Sequence, residues 1–317
     1  MNSAAAPNPA ASLVFAAPRA LAFWHLASLD APTVAIVWSL AFAWAGRVQL
    51  PMWVPLLLAL VTWSVYVIDR LLDASAGIRE PSSHILRERH IFHWRHRRML
   101  LPMAIGSACA ALVIILVFMP PITRARDSVL AAAALAYFSG VHSGCGAWKF
   151  PFRWPRSFAR KEFFVAVLFT AGCALPAWHQ PHMLAAPSRA AWAFWIPAAA
   201  FAALAWLNCT CIQRWESSGA SRGAPLASAN RMPHSRRPAM VFIAGLLLAC
   251  ASLLVALAGA SHHPRSAALL AAGCLSSLLL AILDRTRHRF SPLALRATAD
   301  LVLLTPLALL LCAGVRH

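Results

Sequence analysis

Two aspartates, Asp69 and Asp73 in VYVIDRLLDAS, close an apolar run with Arg70 between them. At i and i+4 of a helix they share one face. At the helix C-terminus both the macrodipole and their mutual repulsion oppose them, by roughly a few tenths of a kcal/mol. Two kinds of partner relieve such a pair. One is the arginines of the same segment and the next, Arg70 and Arg87 among them. The other is a divalent cation, since Mg2+ is commonly held by one or two carboxylates together with phosphate oxygens and water, with arginines on the phosphate. A second polar cluster, in WLNCTCIQRWE, carries Asn208, Gln213, Arg214 and Glu216 at the end of another apolar run. Asn208 and Glu216 are about two turns apart and face one cavity if the helix continues.

The elements that hold these residues are dictated by composition. With 60% apolar and 12% charged residues and a mean hydropathy of +0.65, the chain reads as an all-α, polytopic membrane protein, because a backbone in lipid must satisfy its own hydrogen bonds. Runs near the length of about 20 residues that crosses a hydrocarbon layer are expected at 26–45, 51–72, 99–119, 127–142, 160–178, 190–212, 238–258, 266–283 and 297–314, about nine transmembrane helices. Pro176 and Pro197 are expected to sit inside helices without ending them. Residues 1–19 lack the basic start of a secretory signal and read as a disordered cytoplasmic tail, leaving 20–317 as a single transmembrane helical domain. The eight cysteines show no CxxC spacing and read as small apolar residues.

The net charge of +18 matters less than its distribution. With nine spans, most basic residues fall on the side that holds the N-terminus, leaving Arg47, Arg124, Arg126, Arg189, Arg265 and Arg316 opposite. Positive residues stay inside, so the N-terminus is expected in the cytoplasm and the C-terminus outside. The charge then has an origin that needs no nucleic-acid partner; membrane lipids are the expected surroundings. Arginine in place of lysine, with abundant alanine, points to a GC-rich bacterial genome and hence to the cytoplasmic (inner) membrane. Asp69, Asp73, Glu216 and Asp284 lie at or beside cytoplasmic helix ends and Asp300 about one turn inside. Acids near a midplane, which proton-coupled transport tends to need, are not evident.

Nine helices, an inside N-terminus, an acid cluster after the second helix and a polar cluster after the sixth resemble the UbiA family of intramembrane prenyltransferases. That family's first motif reads N-D-x-x-D-x-x-x-D; VYVIDRLLD supplies its second and third acids as Asp69 and Asp73, with the Asp-Arg step. Val65 and Tyr66 stand where the Asn and first Asp belong, and Asn208 and Glu216 stand in for an Asp-rich second motif. The resemblance implies a UbiA-like helical bundle that moves a prenyl group from a polyprenyl diphosphate to an aromatic or lipid acceptor. It implies Mg2+ at Asp69, Asp73 and Glu216, helped by Asn208. Arg70, Arg87 or Lys161 would clamp the diphosphate. Tyr66 and Tyr137 would offer aromatic faces to the allylic cation. The altered motifs imply a second reading, a non-catalytic lipid-binding or assembly protein on the same fold.

Three further stretches carry alternatives. RHIFHWRHRR spaces His90, His93 and His96 by three, either a transition-metal cluster or a basic interfacial helix with Phe92 and Trp94 at the headgroups. Asp284, Arg285, Arg289, Arg296 and Asp300 either tie a cytoplasmic turn together or wall the same cavity. The Ser-, Gly- and Pro-rich stretch 216–238 is either a loose lid or an inert linker.

Overall fold

The computed structural model describes residues 15–79, 86–142, 160–185, 187–222 and 238–314. The expected tail falls outside these residues as far as residue 14, and most of the expected lid, 223–237, lies outside them as well. Among the described residues the chain is helical, with a single parallel bridge between Phe15 and Phe290. Order begins before residue 19: the Phe15 N–H donates to the Arg289 carbonyl at 2.7 Å, and the Ser291 N–H to the Phe15 carbonyl at 3.0 Å.

The first expected span is broken. α1 (Arg19–Leu26) and α2 (Asp30–Ala45) meet at 87°. Ser28 between them has φ 60°, a left-handed conformation uncommon outside glycine. Its buried hydroxyl bonds His93 Nε2 at 3.0 Å. α3 (Trp53–Arg79) braces the same corner, the Trp63 indole donating to the Ala27 carbonyl at 3.0 Å. A short helix, α4 (Glu88–Arg95), leads into α5 (Arg97–Phe118), α6 (Pro121–His142) and α7 (Arg160–Trp178). After the single turn α8 (Pro181–Leu184) comes α9 (Ser188–Arg222), 35 residues or about 50 Å long. That exceeds a hydrocarbon core of about 30 Å, so the polar end of α9 extends past the apolar zone. α10 (Pro238–Gly259), α11 (Pro264–Thr286), α12 (Pro292–Leu301) and α13 (Pro306–Gly314) complete the chain. Pro176 and Pro197 lie inside α7 and α9, as expected.

Six helices are long and apolar enough to span a membrane, or eight if the α1–α2 and α12–α13 pairs each count as one bent span. The expected nine is not reached among the described residues. α6 forms where the fourth span was expected, but Arg124, Arg126 and Asp127 in its first turns take it out of the apolar class.

Trp38 of α2 holds the centre, stacked on Phe201 of α9 with ring centroids 3.8 Å apart, its indole donating to the Leu303 carbonyl at 2.8 Å. The hydrogen bond satisfies a donor that burial would otherwise strand. α10 lies close on α11 because Gly245 has no side chain; a Cβ there would come within 3.0 Å of the Ala281 Cβ. Such small contacts substitute for the missing hydrophobic drive between helices in lipid. Val113, Leu116 and Val117 on α5 and Leu247, Leu254 and Leu257 on α10 point outward, each more than half exposed. Long apolar faces turned outward suit lipid and not water. The chain is an all-α, multi-pass membrane protein.

Candidate functional site

α2, α3, α5, α6, α7, α9 and α12 surround a cavity of about 1780 Å³. Its middle is apolar, lined by Leu57, Val61, Leu112, Ile115 and Phe169 among others. One end is polar. There α3 contributes Tyr66, Asp69 and Arg70; α6 Tyr137; α7 Lys161 and Glu162; α9 Asn208, Gln213 and Glu216; α12 Arg296 and Asp300. The opposite end carries Arg126, Asp127, His179 and Gln180, with His179 Nδ1 3.1 Å from Asp127 Oδ1.

Seven of the nine expected site residues, Asp69, Asn208, Glu216, Arg70, Tyr66, Tyr137 and Lys161, therefore meet at one cavity. Asp73 and Arg87 do not line it. Asp73, one turn beyond Asp69, is half exposed and lies 3.9 Å from His90 Nε2. The i,i+4 spacing puts the two acids on one stripe, but α3 leaves the cavity between them.

Arg70 lines the cavity edge yet is buried and committed inward. It donates to the His25 carbonyl at 2.9 Å and to Asp30 Oδ2 at 3.3 Å. Its guanidinium lies 5.9 Å from the centre of the Tyr66 ring. Its partner is thus Asp30 of α2, neither the neighbouring acids nor a free phosphate. His25 Nδ1 stands 2.7 Å from Asp30 Oδ2 and 3.6 Å from Asp300 Oδ2. The Asn208 amide donates to Asp300 Oδ1 at 3.1 Å. This buried network ties α1, α2, α3, α9 and α12 together along the wall of the polar end. Sequence reasoning missed His25 and Asp30. The available signal is Asp30 itself, an acid within an apolar run, which demands a named partner.

Glu216 was expected as a metal ligand, and the structure gives it a different role. Its carboxylate is held by Arg87, Arg89 and Arg296, with Arg89 Nη1 at 3.3 Å. Both oxygens are committed to guanidinium groups. The set Asp69, Asp73 and Glu216 does not converge; among the described residues the one group of three metal-capable side chains within 4.8 Å of one another is His25, Asp30 and Asp300. That group already has Arg70, the Asn208 amide and the Ala31 N–H as partners. Other oxygens lining the polar end include those of Asp69 and Glu162 and Asn208 Oδ1, the last a buried oxygen without a hydrogen-bond partner. One carboxylate plus a neutral oxygen, completed by phosphate and water, lies within the habits of Mg2+.

The histidines of α4 turn inward as structural groups. His93 Nδ1 bonds the Arg89 carbonyl at 2.8 Å, and since a carbonyl only accepts, Nδ1 carries the proton. Nε2 then accepts from the Ser28 hydroxyl. Burial pushes His93 down to about 4 and, with Arg89, Arg87 and Arg70 adding to burial, His90 down to about 3. Both rings are neutral near pH 7. Arg89 is held down to about 9 by burial first and then by Arg70 and Arg87. Of the cluster around the turn between α11 and α12, Asp284 is structural, accepting from the Trp215 indole at 2.7 Å and from Arg287 at 3.0 Å. Arg296 and Asp300 wall the cavity instead.

No family model, curated protein or solved structure matches the chain.

Proposed function

We propose that this chain is a UbiA-like membrane prenyltransferase, transferring a prenyl group from a polyprenyl diphosphate to an aromatic or lipid acceptor. The observation that carries the reading is one cavity of about 1780 Å³ with an apolar middle and a charged end, the shape and polarity that a long hydrocarbon tail on a phosphate head requires. The resemblance in VYVIDRLLD supplies the chemistry. In a bacterial inner membrane, with the N-terminus inside, the charged end opens toward the cytoplasm.

Transfer begins when the allylic C–O bond breaks and the electron pair leaves with the diphosphate. Lys161 and Arg296 lie at the end where that charge develops and stabilise it. Mg2+, bound with the diphosphate at Asp69 and Asn208, would lower the charge of the leaving group. Tyr66 and Tyr137 border the same end and present ring faces to the allylic cation. The apolar middle holds the tail and keeps water from the cation.

Binding of farnesyl diphosphate and of farnesol to the purified protein, with and without Mg2+, tests this. Farnesyl diphosphate held with Mg2+ and lost in its absence, with farnesol much weaker, supports the reading. Equal binding of both, indifferent to Mg2+, overturns it. A second reading, a lipid carrier without catalysis, is favoured by one observation: of the three carboxylates expected to hold metal, Asp73 lies outside the cavity and Glu216 is held by arginines, so the expected set does not converge. Release of labelled diphosphate in the presence of an acceptor panel separates the two.

A further inference from the structure

Arg87 stands just before α4, Arg89 lies in its first turn, and Arg296 comes from α12, yet all three converge on one carboxylate of α9. An ion-pair cluster kept for stability alone tends toward neutrality, because an unpaired charge away from water carries a large desolvation penalty. This cluster has three cations to one anion. The Arg89 and Arg296 side chains are 12% and 19% exposed and Glu216 15%, whereas Arg87 is 37% exposed, so two of the three guanidinium groups are largely shielded from solvent. Asp69 and Asp73 offset part of it at Arg89, while Arg70 and Arg87 act in the opposite sense. Arg296 Nε is buried with no hydrogen-bond partner, a donor that Glu216 leaves unused. Glu216 and Arg296 both border the cavity, so a ligand inside it reaches them.

We propose that Arg87, Arg89 and Arg296 form a binding site for a phosphate or diphosphate group, and that Glu216 is a built-in anion occupying it until such a group displaces the carboxylate. A carboxylate offers two oxygens to three guanidinium forks. A diphosphate offers more oxygens and more charge, and pairs bidentately with arginine. Displacement frees Glu216 from its three partners, so the same exchange loosens the link between α9, α4 and α12. The assignment of the ligand as a diphosphate rests on the prenyltransferase reading; the anion site itself does not.

The test is equilibrium binding of labelled inorganic pyrophosphate to the full-length protein in neutral detergent with EDTA. Glu216→Gln, which removes the competing charge, is expected to bind about tenfold tighter than wild type, and Arg89→Gln or Arg296→Gln about tenfold weaker, the size of one charge-assisted hydrogen bond. Glu216→Asp keeps the charge but shortens the reach, and is expected to bind between wild type and Glu216→Gln. Glu216→Gln and Glu216→Asp no tighter than wild type, or arginine variants without effect, overturn the proposal. If Glu216→Gln is not recovered folded, Glu216→Asp decides alone. Nanodiscs containing phosphatidic acid in place of phosphatidylcholine distinguish the source: loss of pyrophosphate binding there marks a lipid headgroup as the occupant, and retention a soluble or isoprenoid phosphate, the site standing in either case. Farnesyl diphosphate separates the two hypotheses. Binding insensitive to these variants leaves the prenyl reading intact and removes the anion site; pyrophosphate binding that follows the variants without any gain from a farnesyl tail does the reverse.

Discussion

Arg70 and Asp30 form a buried ion pair, 5% and 2% exposed, in which Arg70 Nη2 lies 3.3 Å from Asp30 Oδ2 while Nη1 takes the His25 carbonyl. The pair locks α3 to the corner between α1 and α2. Arg70→Gln leaves Asp30 charged and under-partnered, which costs about 3–5 kcal/mol in buried pairs. The single variant is expected to unfold at markedly lower temperature in detergent, and Asp30→Asn, Arg70→Gln together to recover much of the loss. A single variant as stable as wild type contradicts the structural role.

Asp69 and Asp73 are expected to part company. Asp69→Asn should weaken Mg2+-dependent binding of farnesyl diphosphate at least about tenfold, a modest figure for metal sites. Asp73→Asn, turned toward His90 outside the cavity, should leave it unchanged. Equal loss in both variants would return Asp73 to the site.

Acid should undock α4. His90 and His93 have pKa values of about 3 and 4 when folded, lowered by burial from the ordinary 6.5. The unfolded chain therefore binds more protons between pH 6.5 and about 4, so stability falls as pH drops through that window. Thermal unfolding followed from pH 7 to pH 4 should show the decline, and His93→Gln should flatten it. A wild-type profile already flat across the window contradicts neutral, buried imidazoles.

Gly245 sets the spacing of α10 and α11. Gly245→Leu drives a side chain into Ala281 and is expected to destabilise by about 1–3 kcal/mol, as overpacking does. Gly245→Ala, with its Cβ at 3.0 Å, should cost less. Unfolding midpoints of the two in one detergent rank them.

The long helices are legible from apolar runs alone, because lipid leaves the backbone no alternative. The meeting of Tyr66, Asp69, Lys161, Asn208 and Arg296 is legible too, since antiparallel spans return alternate ends to one side. The corner at Ser28 is not, because His93, far along the chain, helps to fix it. Nor is the fate of Glu216: its partners come from separate segments, and no local pattern separates a metal ligand from a carboxylate claimed by arginines. Asp30 was readable as an oddity in an apolar run, but its pairing with Arg70 belongs to tertiary structure.

The two polar ends of the cavity also make it a ruler. Along α3 its wall runs from Trp53 to Arg70, about 25 Å of helix, and at the far end stand Asp127 and His179. A hydrocarbon tail anchored by its head at the charged end fits up to that length. A longer one must bend or pass sideways between helices into the bilayer. On the proposed function, substrate length would be graded by where the tail meets that second polar boundary, and the carboxylate–imidazole pair there would act as a stop for a molecule whose reactive part lies at the charged end.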